Sequence, residues 1–284
     1  MQMRGLLPLL AIPLIVGCGS LSILPFSGAM ALGIGTNPEA LRNAGKTVPR
    51  MDRRIEYRLE RFHWAEYAGS EPGGGTLLDE TGATHAFGYS VLFTDLDLRL
   101  SAELLIGDVD YDGQTMAGVP VSTETDYAGL EFNALWMREM SFRYWDEFHF
   151  LVGGTTRSWS IDINSAPAAM GYVEDWFVLG ATFGISAVRE VAAGGDFFLE
   201  VLGYLPLLAD EEIGVVGADI DPDGRLALLS ELKTGFAWRN GVSVAFRLRR
   251  TGFDQSPLAS SVIGPVYQPA STMTRVGVQV EYRF

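Results

Sequence analysis

The stretch Arg275–Phe284, RVGVQVEYRF, decides the fold. Val276, Val278, Val280, Tyr282 and Phe284 are apolar, and Arg275, Gly277, Gln279, Glu281 and Arg283 alternate with them. A period of two is that of a β-strand, whose successive side chains point to opposite faces. A strand with one apolar face and one charged face has two settings open to it. Either it separates an apolar core from water, or it separates lipid from a polar interior.

The same pattern recurs along the chain. Stretches of roughly ten residues alternating apolar with polar or small residues, the length that spans a bilayer as strand, occur at 54–67, 85–95, 98–108, 127–138 and 148–159. They continue at 176–188, 197–207, 225–238, 242–251 and 274–284, and none carries a helical stripe. Beyond residue 35 no apolar run approaches the roughly 20 residues of a membrane-spanning helix. The expected class is all-β. The connections sort into short ones (near Asp97, MSFRYWDE, REVAAGGD, RNG) and long ones. The long ones are SEPGGGTLLDETGAT, YDGQTMAGVPVSTETD, SIDINSAPAAMGYVED, LADEEIGVVGADIDPDG and GFDQSPLASSVIGPVYQPAS. Long and short alternate strictly, which collects all long loops at one end. A soluble sandwich has no reason for that asymmetry, whereas a transmembrane barrel has short turns on one side and long loops on the other. The expected fold is therefore a closed antiparallel transmembrane β-barrel of about ten strands, within about two, with the apolar faces toward lipid.

Composition agrees. The 284 residues are 48% hydrophobic and 20% charged. Mean hydropathy is nevertheless positive, as expected if apolar surface faces something other than water. A net charge of −14 argues against nucleic acid, whose phosphates need Lys and Arg. One cysteine, Cys18, excludes an intrachain disulfide and a C-x-x-C site. The first residues carry one positive charge (Arg4), a long apolar stretch and the small-x-small series Ala29-Met30-Ala31, the layout of a signal peptide cleaved after Ala31. IVGC at Ile15–Cys18 resembles a lipoprotein box and leaves lipidation at Cys18 as the competing reading. The expected organisation is a signal peptide at 1–31, a short segment at 32–50 and a barrel at 51–284.

With aromatic residues at the last and third-from-last positions, the final strand resembles the recognition signal of bacterial outer-membrane β-barrel proteins, specifically at Val276, Val278, Val280, Tyr282 and Phe284. The resemblance is to that broad class. It implies outer-membrane lipid and the barrel assembly machinery as partners, with Val280, Tyr282 and Phe284 read during assembly and the last strand closing on the first. Closure matters because lipid offers no hydrogen bonds to an open sheet edge. A monomer is expected.

If the alternation holds, the inward set includes Glu56, Arg58, Glu60, Arg99, Glu103, Glu131, His149, Arg157 and Glu200. Glu231, Lys233, Arg247, Arg249, Arg275, Gln279, Glu281 and Arg283 join it. In a narrow interior these charges would pair, because an unpaired buried charge is costly. A network containing Glu103, Glu231, Lys233, Arg247, Arg249 and Glu281 is expected to plug the lumen, which gives a structural or surface-interaction protein. The alternative is a small-solute channel with those charges lining water.

Enzyme templates fit poorly. Ten-stranded outer-membrane proteases, the omptins, use acids and an Asp-His pair at the outer rim. Asp108 and Asp110 suit half of this, but none of His63, His85 and His149 follows an Asp in the later strands. A hydrolase centred on His85 would need a serine nearby. Ser90, five residues on, falls on the opposite strand face, and no G-x-S-x-G occurs. No cofactor is expected beyond weak calcium. DVDYDG (Asp108, Asp110, Asp112) and DIDPDG (Asp219, Asp221, Asp223) open like calcium loops, although the twelfth positions, Val119 and Ser230, are not Glu. Asp and Gly are also ordinary turn residues.

Overall fold

The computed structural model describes residues 51–69, 75–115, 118–191 and 194–284. The expected signal peptide, Cys18 and the 32–50 segment lie outside them. The strands in order are β1 (Met51–Tyr67), β2 (Thr76–Phe93), β3 (Leu98–Gln114), β4 (Pro120–Glu139), β5 (Glu147–Ile163) and β6 (Tyr172–Val191). There follow β7 (Gly195–Ile213), the short β8 (Ala218–Ile220), β9 (Ala227–Trp238) and β10 (Val242–Phe253). The short β11 (Ala259–Ser261) and β12 (Gly264–Val266) precede β13 (Ala270–Arg283).

Ten of these strands form the wall. Each pairs antiparallel with its neighbour in the order β1 to β7, then β9, β10 and β13, with β6–β7 joined. The ring closes where β13 pairs with β1, from Arg54↔Arg283 to Tyr67↔Ala270 without a register shift. The three short strands belong to the connections, β8 extending from β7 and β11 pairing with β12.

The faces settle which setting the alternation belongs to. On β1, Arg58 is 0% and Glu60 1% exposed, whereas Leu59 between them is 49% exposed. Val278 and Val280 on β13 are exposed while Gln279 is buried, and Leu104 and Phe132 are exposed beside buried Glu103 and Glu131. A soluble barrel would reverse every one of these. The apolar residues face lipid, and the chain forms a transmembrane barrel.

The wall is taller than a bilayer needs. A spanning strand takes about 9–11 residues, but β4 and β6 have 20 each and β1, β3 and β5 have 17. Much of the sequence expected to be loop is the upper part of this wall. In YDGQTMAGVPVSTETD, pairing continues to Gln114↔Pro120. In SEPGGGTLLDETGAT, β2 begins at Thr76. Above the apolar band the outward positions become acidic, as at Asp108, Asp110 and Asp112 on β3 and Glu124 and Asp126 on β4, all exposed. Once a wall leaves lipid its outer face has no need to be apolar, so the strand persists while its hydrophobic signature stops.

The short connections, β2–β3, β4–β5, β6–β7 and β9–β10, join strand ends at one end of the barrel, and the long ones, β1–β2, β3–β4, β5–β6, β7–β9 and β10–β13, join those at the other. Cysteines placed at Gly118, Pro167, Gly217 and Pro257 are expected to react with an impermeant thiol reagent on whole cells, with a cysteine at Gly194 protected. Labelling at Gly194 with silence at the other four would invert the barrel.

Candidate functional site: two layers in the lumen

Between the strands the lumen is filled in two stacked layers of different chemistry. The lower one, at the height of the lipid band, is ionic. Arg249 on β10 reaches Glu131 Oε2 at 2.6 Å and Oε1 at 3.1 Å, and Glu231 Oε2 at 2.8 Å. Arg247, two residues earlier and on the same face, holds Glu231 Oε1 at 2.8 Å. Arg157 on β5 joins Glu131 at 2.8 Å, and Arg58 on β1 contacts Glu103, with Glu60 at 3.1 Å. Lys233 and Arg54 bind opposite oxygens of Glu281 at 3.0 and 3.1 Å, and Arg99 grips Glu200 with both terminal nitrogens. All six residues expected in the network, Glu103, Glu231, Lys233, Arg247, Arg249 and Glu281, are brought into it. Each arginine bridges two or more strands, so the fork geometry of guanidinium ties the wall across its diameter. A cavity of about 80 Å³ remains among these side chains. Arg283 keeps inward parity but sits at the open rim, where it pairs with Asp52 at 2.9 Å. His149 is half-buried.

Above this comes an aromatic layer. Trp176 stacks on Trp159 with centroids 5.3 Å apart, meets Trp64 edge-on at 5.4 Å and lies 5.2 Å from Phe253. Phe62 and Tyr127 pack at 4.6 Å. These side chains come from β1, β4, β5, β6 and β10 and close the lumen from side to side. Arg157 over the Tyr204 ring, at 4.4 Å, joins the two layers.

Four inward glutamates sit with the aromatics: Glu66 on β1, Glu80 on β2, Glu174 on β6 and Glu211 on β7. Glu66 accepts from Trp64 Nε1 at 3.3 Å and Gln268 Nε2 at 2.5 Å, and Glu80 accepts from the Tyr127 hydroxyl. Glu211 lies across from Trp176 on one neighbour and Ile220 on the other, and neither of its oxygens has a hydrogen-bond partner. The strand residues flanking them on the outer face, such as Asp79, Asp175, Asp210 and Glu212, place this layer above the lipid band. Burial pushes the carboxyls of Glu66 and Glu80 up to about 7. Burial, with Glu66 and Glu80 adding to it, raises Glu174 to about 8. Glu211 is raised well above the usual carboxylate range by burial and then by Glu174. The sequence reading missed all four. Glu80, Glu174 and Glu211 lie in the expected long connections, and Glu66 lies near the end of the first alternating stretch, beyond the expected inward set. Continuing the alternation would have found them, as in Leu78–Glu80–Gly82–Thr84 and Tyr172–Glu174–Trp176–Val178.

The calcium candidates are not assembled as calcium loops. Asp108, Asp110 and Asp112 lie along extended β3, where alternate residues are about 6.6–6.8 Å apart. Asp219 is on β8, with Asp221 and Asp223 in the following connection. Among the described residues no three acidic or histidine side chains converge as a metal site. His85 is on the outer face with Nδ1 2.8 Å from the Tyr57 hydroxyl, while Ser90 lines the lumen cavity. His63 Nε2 and Asp79 Oδ2, also on the outer face, lie 3.0 Å apart, a pair that the sequence reading did not bring together. Val280, Tyr282 and Phe284 form an exposed row on β13 and the residue after it, with the last two rings stacked at 6.2 Å.

No family model matches the chain, and no curated protein matches it. Solved structures of similar shape include the outer membrane protease OmpT from Escherichia coli, at 10% identity and a TM-score of 0.47 over 84% of this chain and 98% of that one. The beta domain of the Bordetella autotransporter BrkA aligns at 12% identity and 0.39, over 82% and 98%. The Pseudomonas putida toluene transporter TodX aligns at 10% and 0.33, over 81% and 89%. At these values the likeness carries nothing about activity.

Proposed function

We infer that this chain is an outer-membrane barrel that does not conduct, with a structural or surface-interaction role exerted through its long-loop end. The observation that supports this is the double closure of the lumen. A solute passing the ionic layer through its cavity of about 80 Å³ would meet Trp64, Trp159, Trp176 and Phe253 packed ring against ring. Ion pairs can rearrange around water, but rings packed against one another at 5.2–5.4 Å between centroids leave a permeating solute no gap to pass through. The signal peptide expected at 1–31 and the closing strand support the outer membrane as the location. Planar-bilayer recording of the purified protein tests the reading. No unitary steps above the bare bilayer are expected, and a steady open conductance would replace this role with that of a small-solute channel.

A further inference from the structure

We propose that the layer formed by Glu66, Glu80, Glu174 and Glu211 is a binding site for an organic ammonium ion entering from the long-loop end. This goes beyond the non-conducting reading and does not depend on it.

The two lumen layers treat their carboxylates in opposite ways. Below, every inward glutamate named has an arginine or lysine against it. Above, among the described residues, no Lys, Arg or His side chain pairs with any of the four, and the charged groups that face them are one another. Tyr111, Tyr127 and Tyr172 supply only hydroxyls from β3, β4 and β6, and Asp79 and Asp210 add further negative charge from β2 and β7. The uncompensated group is most evident at Glu211, which is 0% exposed with both oxygens lacking a partner. A buried carboxylate without a cation or donor is a large desolvation cost unless a ligand or a proton relieves it.

The surroundings select the kind of cation. A metal ion needs oxygen donors converging at about 2.0–2.6 Å, and no such convergence exists among the described residues. An ammonium group donates charge-assisted hydrogen bonds of about 2.7–2.9 Å to acceptors spread more widely. Its alkyl part, or a quaternary head, is attracted to aromatic rings, and Trp64 bonds Glu66 while Trp176 lies across from Glu211. Access is through Glu66 and Glu174, which are only partly buried. The exposed acids on the outside of the same wall, Asp110, Asp112, Glu124, Asp162, Asp175 and Glu212, together with a net charge of −14, would concentrate cations there.

The test is a titration of the folded, purified protein with putrescine and with tetramethylammonium, read by tryptophan fluorescence and calorimetry. Sodium and magnesium chloride at matched ionic strength are the controls. A saturable response to the ammonium ions alone is expected, at least tenfold weaker in the double variant Glu174→Gln, Glu211→Gln. It should also weaken from pH 8.5 to pH 6, because protons compete for the same carboxylates. Gln keeps the volume and removes repulsion, so the variant should retain the heat-modifiable mobility of a folded barrel. Should it fail to fold, Glu66→Gln at the partly exposed edge makes the same comparison. An equal response to sodium or magnesium, no saturation, or unchanged affinity in the folded variant would overturn the site. Conductance in bilayers would overturn the closed-barrel role and leave this titration untouched.

Discussion

Replacing Arg249 with methionine is expected to cost the folded barrel about 3–5 kcal/mol, the range for breaking a well-buried ion pair by removing one partner. Arg249 is 3% exposed and serves two carboxylates on different strands, Glu131 on β4 and Glu231 on β9. Removing it leaves both facing a low-dielectric interior, with Arg157 and Arg247 as their remaining partners. The measurement is urea unfolding in lipid vesicles. The informative comparison is the double variant Arg249→Met, Glu231→Gln. Its loss should be smaller than the sum of the single losses by about 0.5–3 kcal/mol, the coupling seen between residues in one network. Additive losses would mean that these side chains are solvated independently, and the lumen would then have to be treated as a water path.

The residues of this network were legible in the sequence because the lipid band enforces strict alternation. Wherever Leu, Val or Phe must face hydrocarbon, the intervening positions are assigned to the lumen without ambiguity, and Glu231, Arg247 and Arg249 follow from Leu232, Phe246 and Leu248. Who pairs with whom was not legible. The Arg249–Glu131 contact joins strands that are distant in the sequence, and only the closed ring places them face to face. The upper wall was hidden for the opposite reason. Asp79, Asp112, Glu124 and Asp162 occupy outward strand positions in water, where composition resembles that of a loop. Acids that resemble turn residues shorten β2, β3, β4, β6 and β7 in the sequence and hide Glu80, Glu174 and Glu211. An inward tryptophan at position 64, 159 or 176 was the remaining signal that the wall continued.

The closing seam yields the other large effect. Gly277 on β13 lies between Glu60 of β1 and Arg247 of β10, where the first and last strands meet. A Cβ at 277 would stand 2.8 Å from the Glu60 Cα, and closer still to the carbonyl oxygen of Leu59. Both obstacles are backbone of the partner strand and cannot swing aside as a side chain would. The seam must either widen, losing ladder hydrogen bonds that lipid cannot replace, or shift register. A one-residue shift would turn Gln279 and Glu281 toward lipid and Val278 and Val280 into the ionic layer. Gly277→Ala is therefore expected to lower the yield of folded, heat-modifiable barrel at least tenfold. Val278→Ala next to it removes only lipid-facing methyl groups from a side chain that is 54% exposed, and should leave the yield within about twofold. Equal yields from the two variants would mean that the β1–β13 seam has slack at this height and that closure is not set by backbone contact at Gly277.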